Sequence, residues 1–184
     1  MKVTHLHKNK LVPAIWDGGE TFEYFIYPEN SSYARRDFLF RISSANIAKV
    51  PSDFTRFEKY QRFLVMLDND LKLVRNGKNE RYKENEVFTF CSNDKIVSQS
   101  LGNDFNLMIR NENVSANVFF TKDSQNLNND FLFVFAKNET EIILNEQHFS
   151  LNPYDLLLIE NNENKCVQFG ANQNVILGCL NLKK

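Results

Sequence analysis

Phe131-Leu132-Phe133-Val134-Phe135, then Glu141-Ile142-Ile143-Leu144, then Asp155-Leu156-Leu157-Leu158-Ile159 are the segments on which the fold class turns. Each is too short for a stable helix, is rich in aromatic, β-branched or aliphatic residues, and is bounded by Asn, Asp, Pro or Lys, which is strand composition. An earlier stretch repeats the arrangement: Phe63-Leu64-Val65-Met66-Leu67, then Leu71-Lys72-Leu73-Val74, then Glu86-Val87-Phe88-Thr89-Phe90. In both, a strand, its hairpin partner, a polar stretch and an acid-headed strand follow at nearly equal intervals, as an internal duplication would produce. The echo predicts one unit over 1–184 made of two pseudo-repeated lobes, about 1–113 and 114–184, with strand exchange between them.

Apolar runs of this kind recur from residues 3–7 to residues 175–182, and only residues 52–60 carry a helix-like spacing. The chain therefore reads as all-β with little helix, a sandwich or barrel. Its 17 Phe residues belong to those runs, whereas Asn clusters between them, at Asn128-Asn129, Asn161-Asn162 and Asn172-Gln173-Asn174, where it tolerates left-handed turns.

With 184 residues and 42% hydrophobic content, the chain can bury a core without disulfides or metal. The 22 basic and 23 acidic residues leave a net charge of −1, so no global field draws in a phosphate backbone, and nucleic acid is excluded as the first expectation. No apolar run approaches the roughly 20 residues that span a bilayer, and the first residues lack the apolar centre of a signal peptide, which predicts a cytoplasmic protein with no membrane partner. Cys91, Cys166 and Cys179 are odd in number and far apart, which predicts reduced, mostly buried thiols rather than a disulfide framework.

Four segments in order carry a resemblance: Trp16-Asp17-Gly18-Gly19-Glu20-Thr21; Phe38-Leu39-Phe40-Arg41-Ile42-Ser43-Ser44-Ala45; Phe54-Thr55-Arg56-Phe57 leading to Gln61-Arg62-Phe63-Leu64-Val65-Met66-Leu67; and Asp104-Phe105-Asn106-Leu107-Met108-Ile109-Arg110. The chain resembles the HutD/Ves family of cupin-like (RmlC-like) proteins over nearly its whole length. The resemblance implies a two-lobed cupin-like β-barrel or sandwich, a bicupin. It also implies a link to histidine utilisation or stress responses, with ligand binding but no established reaction. The chain departs from the family where Asp17 and Glu20 flank the glycines, where Asn111 follows Arg110, and at Asp68-Asn69-Asp70.

A metallocupin site needs two His two apart on a barrel strand, an acid nearby and a third His from a later strand. The strands that would carry it, 63–75 and 131–144, contain no His. His5 and His7 share one face of an amino-terminal strand and read as solvent-facing imidazoles on an edge. The expectation is no metal and no cofactor. Alternation places Arg41 and Ser43 on one strand face, and Asp104, Asn106, Met108 and Arg110 on one face of another. Arg62 stands at the head of an apolar strand, where it leans over a barrel mouth or pairs with Asp53 or Glu58. Guanidinium forks suit carboxylates and phosphates. Trp16 beside Gly18-Gly19 offers an indole wall. No G-x-S-x-G elbow is present, and a Ser–His–Asp triad would have to draw on His5, His7 or His148.

The reading is a metal-free protein that binds a small anionic metabolite in a regulatory or buffering role, through Trp16, Arg41, Ser43, Arg62, Asn106 and Arg110. The alternatives are a metal-independent isomerase or hydrolase with a base from residues 16–23, and a non-catalytic scaffold acting through Phe-rich strands. A homodimer would cover the edge strands.

Overall fold

The computed structural model describes residues 1–183, whose regular structure is all strand except for one 3-10 turn at Lys8–Lys10. Residues 52–60 are not helical. Phe54 N–H donates to the Ile96 carbonyl and Phe57 N–H to that of Ser92, so their backbone bonds go to a neighbouring strand and hairpin instead of to the preceding turn. The i, i+3 spacing that resembled a helix serves two different clusters: Phe54 packs beside Phe90, whereas Phe57 joins Phe38 and Tyr60.

The chain divides into two compact units. The amino-terminal strand β1 (Lys2–Leu6) does not pack with the stretch that follows it, because Met1–Lys10 belongs with the chain from Ser115 onward. Unit Leu11–Val114 holds β2 (Ala14–Trp16), β3 (Gly19–Tyr27), β4 (Phe40–Ile47), β5 (Ser52–Asp53), β6 (Tyr60–Met66), β7 (Leu71–Arg75), β8 (Lys78–Tyr82), β9 (Phe88–Cys91), β10 (Ile96–Ser98) and β11 (Gly102–Arg110). They form a six-stranded sheet, order β2-β3-β4-β11-β6-β9, and a four-stranded sheet, order β5-β10-β7-β8. Leu64, Met66, Phe88 and Phe90 of the first meet Leu71, Leu73 and Ile96 of the second in one buried cluster.

The other unit holds β1, all but the first residue of β12 (Val114–Thr121), β13 (Gln125–Leu127), β14 (Phe131–Phe135), β15 (Thr140–Leu144), β16 (Gln147–Leu151), β17 (Leu156–Glu160), β18 (Val167–Ala171) and β19 (Val175–Leu182). Its sheets run β1-β17-β14-β19-β12 and β13-β18-β15-β16. Strand β14 is buried at every position, which is why it reads as a continuous apolar run, whereas β15 alternates buried and exposed residues. Phe133 pairs with Gly178, and a Cβ there would lie 2.0 Å from the Phe133 ring, so this glycine makes room for an aromatic on the next strand.

Hydrogen bonding among the described residues is in four open sheets, not in the closed barrel that the sequence admits as one outcome. The cysteine expectation is corrected in part: Cys179 is buried, but Cys91 and Cys166 are exposed.

Candidate ligand-binding site

The site is built on the inner face of the six-stranded sheet, in unit Leu11–Val114. Antiparallel register sets Met108 of β11 between Arg41 of β4 and Arg62 of β6, and pairs Asn106 with Ser43. Because alternate residues share a face, Arg41, Ser43, Asp104, Asn106, Met108 and Arg62 converge on one surface. They line a cavity of about 340 Å³, within the size range of small-molecule sites.

Each guanidinium is held differently. Arg41 is 7% exposed; its Nε donates to Glu23 Oε2 at 2.6 Å, its terminal nitrogen donates to Ser43 Oγ at 3.1 Å, and its plane lies 4.5 Å from the Tyr33 ring centre. Arg62 is 8% exposed and donates through Nε to Asn106 Oδ1 at 3.3 Å. Its guanidinium sits 5.1 Å and 5.2 Å from the rings of Phe54 and Phe90, and among the described residues no carboxylate lies within ion-pair distance of it. Burial works against its charge, with Asp104 opposing that effect and Arg41 adding to it, yet a guanidinium remains protonated at neutral pH. The result is a buried cation that lines the cavity and has no carboxylate partner among the described residues.

Asp104 lies beside them, accepting from the Ala45 N–H at 3.2 Å. Burial pushes its carboxyl up to about 7, against the pull of Arg62 and the Ala45 bond. Asp104 gains or loses its charge near neutral pH beside the two guanidiniums, so the cavity favours an anion more as Asp104 takes up a proton.

Trp16 stands at the rim on β2. Its indole N–H donates to Thr21 Oγ1 at 3.1 Å, and its ring covers Gly18, where an added Cβ would come within 2.0 Å of the indole. The Gly18 carbonyl accepts from the Ala48 and Lys49 N–H groups, which clasps the β2–β3 turn to the end of β4.

Of the residues singled out from sequence, Trp16, Arg41, Ser43, Arg62 and Asn106 line this cavity. Arg110 does not: it folds back to donate to the Arg36 carbonyl at 2.7 Å and Tyr60 Oη at 3.1 Å. Arg62 does not pair with Asp53 or Glu58, and Arg41, although it does meet an acid, is buried and not outward-facing. Tyr33 and Phe54, which flank the guanidiniums, were not legible because they come from connecting segments with no periodic pattern. Asp104 was on the predicted polar face, but its burial depends on the neighbouring strands.

The family model for HutD matches residues 8–177. The chain belongs to the HutD family. Relatives of known structure include HutD from Pseudomonas fluorescens SBW25, solved in a formate condition, at 19% identity, 100% coverage of both chains and a TM-score of 0.85. A conserved protein of unknown function from Pseudomonas aeruginosa PAO1 is 18% identical, with 100% of both chains covered and a TM-score of 0.85. Beyond the family, a cupin 2 conserved barrel domain protein from Leptotrichia buccalis is 9% identical, with 100% of this chain and 98% of that one covered and a TM-score of 0.60. These likenesses show a cupin-like all-β fold. No curated protein matches the chain at a significant level.

Whether a metal suits the cavity of this HutD-family member is set by its donors. The lining has guanidiniums, amide and hydroxyl groups and no imidazole or thiolate. Two guanidiniums converge there with two carboxyls, Asp53 and Asp104, so the donor set is not that of a transition-metal centre. The same groups suit an anion.

Proposed function

We propose that this chain is a cupin-like small-molecule binding protein that takes an anionic metabolite, a carboxylate or similarly small oxyanion, in the cavity of unit Leu11–Val114. The observation that carries the proposal is Arg62: a buried guanidinium without a carboxylate partner among the described residues, lining a cavity of about 340 Å³. Leaving a charge buried and unpaired is costly, and an anion bound there would relieve that cost. Arg41 would supply a second charge, already oriented by Glu23 and Ser43, while Asn106 fixes the Arg62 plane and Trp16 closes the rim. HutD membership supports, as part of this proposal, a regulatory or buffering role linked to histidine utilisation in a cytoplasmic, homodimeric protein. The shared strand orders, β4-β11-β6-β9 beside β12-β19-β14-β17 and β5-β10-β7-β8 beside β13-β18-β15-β16, support reading the two units as a bicupin duplication.

A second reading, a metal-independent isomerase or hydrolase, is favoured by one observation. One of the two carboxyls lining the cavity is Asp104, which titrates near neutrality, where a general base works best. It would replace the base sought in residues 16–23.

The test is calorimetry with formate, acetate, glutamate and phosphate on the parent and on Arg62→Ala. Binding of one anion that the variant loses by about 30-fold or more, the scale of removing a buried charged partner, supports the proposal. No heat with any of these anions, or equal binding by both proteins, overturns it.

A further inference from the structure

His5 and His7 were expected to point into solvent from an edge strand. Strand β1 is indeed at the edge of its sheet, but both imidazoles turn onto Asp155. His5 Nε2 lies 2.9 Å and His7 Nδ1 3.1 Å from the same oxygen, Asp155 Oδ2. The three ligand-type atoms are all within 4.8 Å of one another.

Strand geometry explains the convergence. Residues two apart on a strand project to the same side, and here the ring centres are 3.9 Å apart. The antiparallel register of β1 on β17 pairs Leu6 with Leu156 and His5 with Leu157, so Asp155 falls beside His7, one step beyond the paired residues. The carboxylate is fixed independently of the imidazoles: Oδ1 accepts from the Lys8 N–H at 2.9 Å, and Oδ2 from the Asn152 N–H at 3.2 Å. The Asp155 side chain is 3% exposed, whereas those of His5 and His7 are 24% and 30% exposed.

We infer that His5, His7 and Asp155 form a divalent transition-metal site of the two-histidine, one-carboxylate class. Two imidazole nitrogens and one carboxylate oxygen lie within 4.8 Å of one another, and backbone donors hold the carboxylate as outer-shell groups hold metal ligands. The partly exposed side leaves coordination positions for water or a small anion, which is the pattern of an open site taking zinc, cobalt or nickel rather than calcium or magnesium. An ion there would tie β1 to the turn that opens β17. The site is within one unit, shares no residue with the arginine-lined cavity, and is independent of the anion reading.

The test uses the full untagged chain, treated with chelator and dialysed, titrated with zinc by calorimetry and with cobalt(II) by absorption spectroscopy. The expected result is one ion per chain and a cobalt spectrum of nitrogen and oxygen ligation without thiolate charge-transfer bands. His5→Gln and His7→Gln, which leave both backbone bonds to Asp155 in place, should each weaken binding by about 10–100-fold or more, at least the loss seen on removing outer-shell partners. Failure of zinc, cobalt and nickel to bind would overturn the inference. So would unchanged affinity in both variants, or thiolate bands that assign the ion to the exposed Cys91 or Cys166.

Discussion

Asp104 and Arg62 show how burial sets the chemistry of single residues. The folded chain keeps the Asp104 proton up to about pH 7, whereas an ordinary aspartate releases it near 3.8. The stabilisation from this protonated group is therefore complete below about pH 4 and is lost as pH rises through about 7. Anion binding should follow the same direction: affinity falls as pH rises through about 7, because the carboxylate then offsets one guanidinium. Calorimetry between pH 5.5 and 8.5 checks this, and Asp104→Asn should flatten the profile. Arg62 leads to a different expectation. Replacing a buried, unpaired charge by an apolar side chain of similar length is neutral or stabilising, by about 1–4 kcal/mol. Arg62→Met should raise the thermal midpoint while abolishing anion binding, a pairing of effects that a purely structural arginine would not show.

At the scale of elements, the strands that sequence reading missed are short, polar or at edges: β2, β5, β8, β13 and β16. Strand β8, Lys-Asn-Glu-Arg-Tyr, has no apolar alternation to detect. Its signal was in the turn before it, Asn76-Gly77, where both residues have positive φ, 49° and 83°, as a two-residue hairpin turn requires. The β15–β16 turn uses the same geometry at Asn145 and Glu146, and the glutamate there gives no such signal. An added Cβ at Gly77 meets nothing within 4 Å, so Gly77→Ala isolates the backbone effect and should cost about 1 kcal/mol in urea denaturation. Gly178→Ala tests packing instead. Its Cβ would meet the Phe133 ring, and a loss of about 1–3 kcal/mol is expected, the range for overfilling a packed core.

For the whole molecule, near-cancellation of charge matters more than composition. The two guanidiniums of the cavity are a local cluster in a chain of net charge −1. The protein should therefore pass through a heparin column at physiological ionic strength without retention, and small anions should be recognised without long-range steering. The division into Leu11–Val114 and a second unit that takes in Met1–Lys10 also has a consequence for site location. The arginine-lined cavity draws only on the first unit, and the His5, His7 and Asp155 cluster only on the second. Substitutions in one should leave ligand titrations of the other unchanged.

Strand composition, run length and alternation were enough to determine an all-β chain, and the ordered motifs around Trp16, Arg41, Arg62 and Asn106 were enough to indicate HutD membership. Those signals are local: each needs only a few neighbours in the chain, and alternation alone put Arg41 with Ser43 and Asp104 with Asn106. Tertiary structure decided what depends on contacts between distant segments. It buried Arg62 away from any acid, raised Asp104 by enclosing it, and turned Arg110 aside onto Tyr60 and the Arg36 carbonyl. It also carried Asp155 to His5 and His7 across a separation of about 150 residues. Burial and long-range register are properties of the assembled sheets, and no window along the chain contains them.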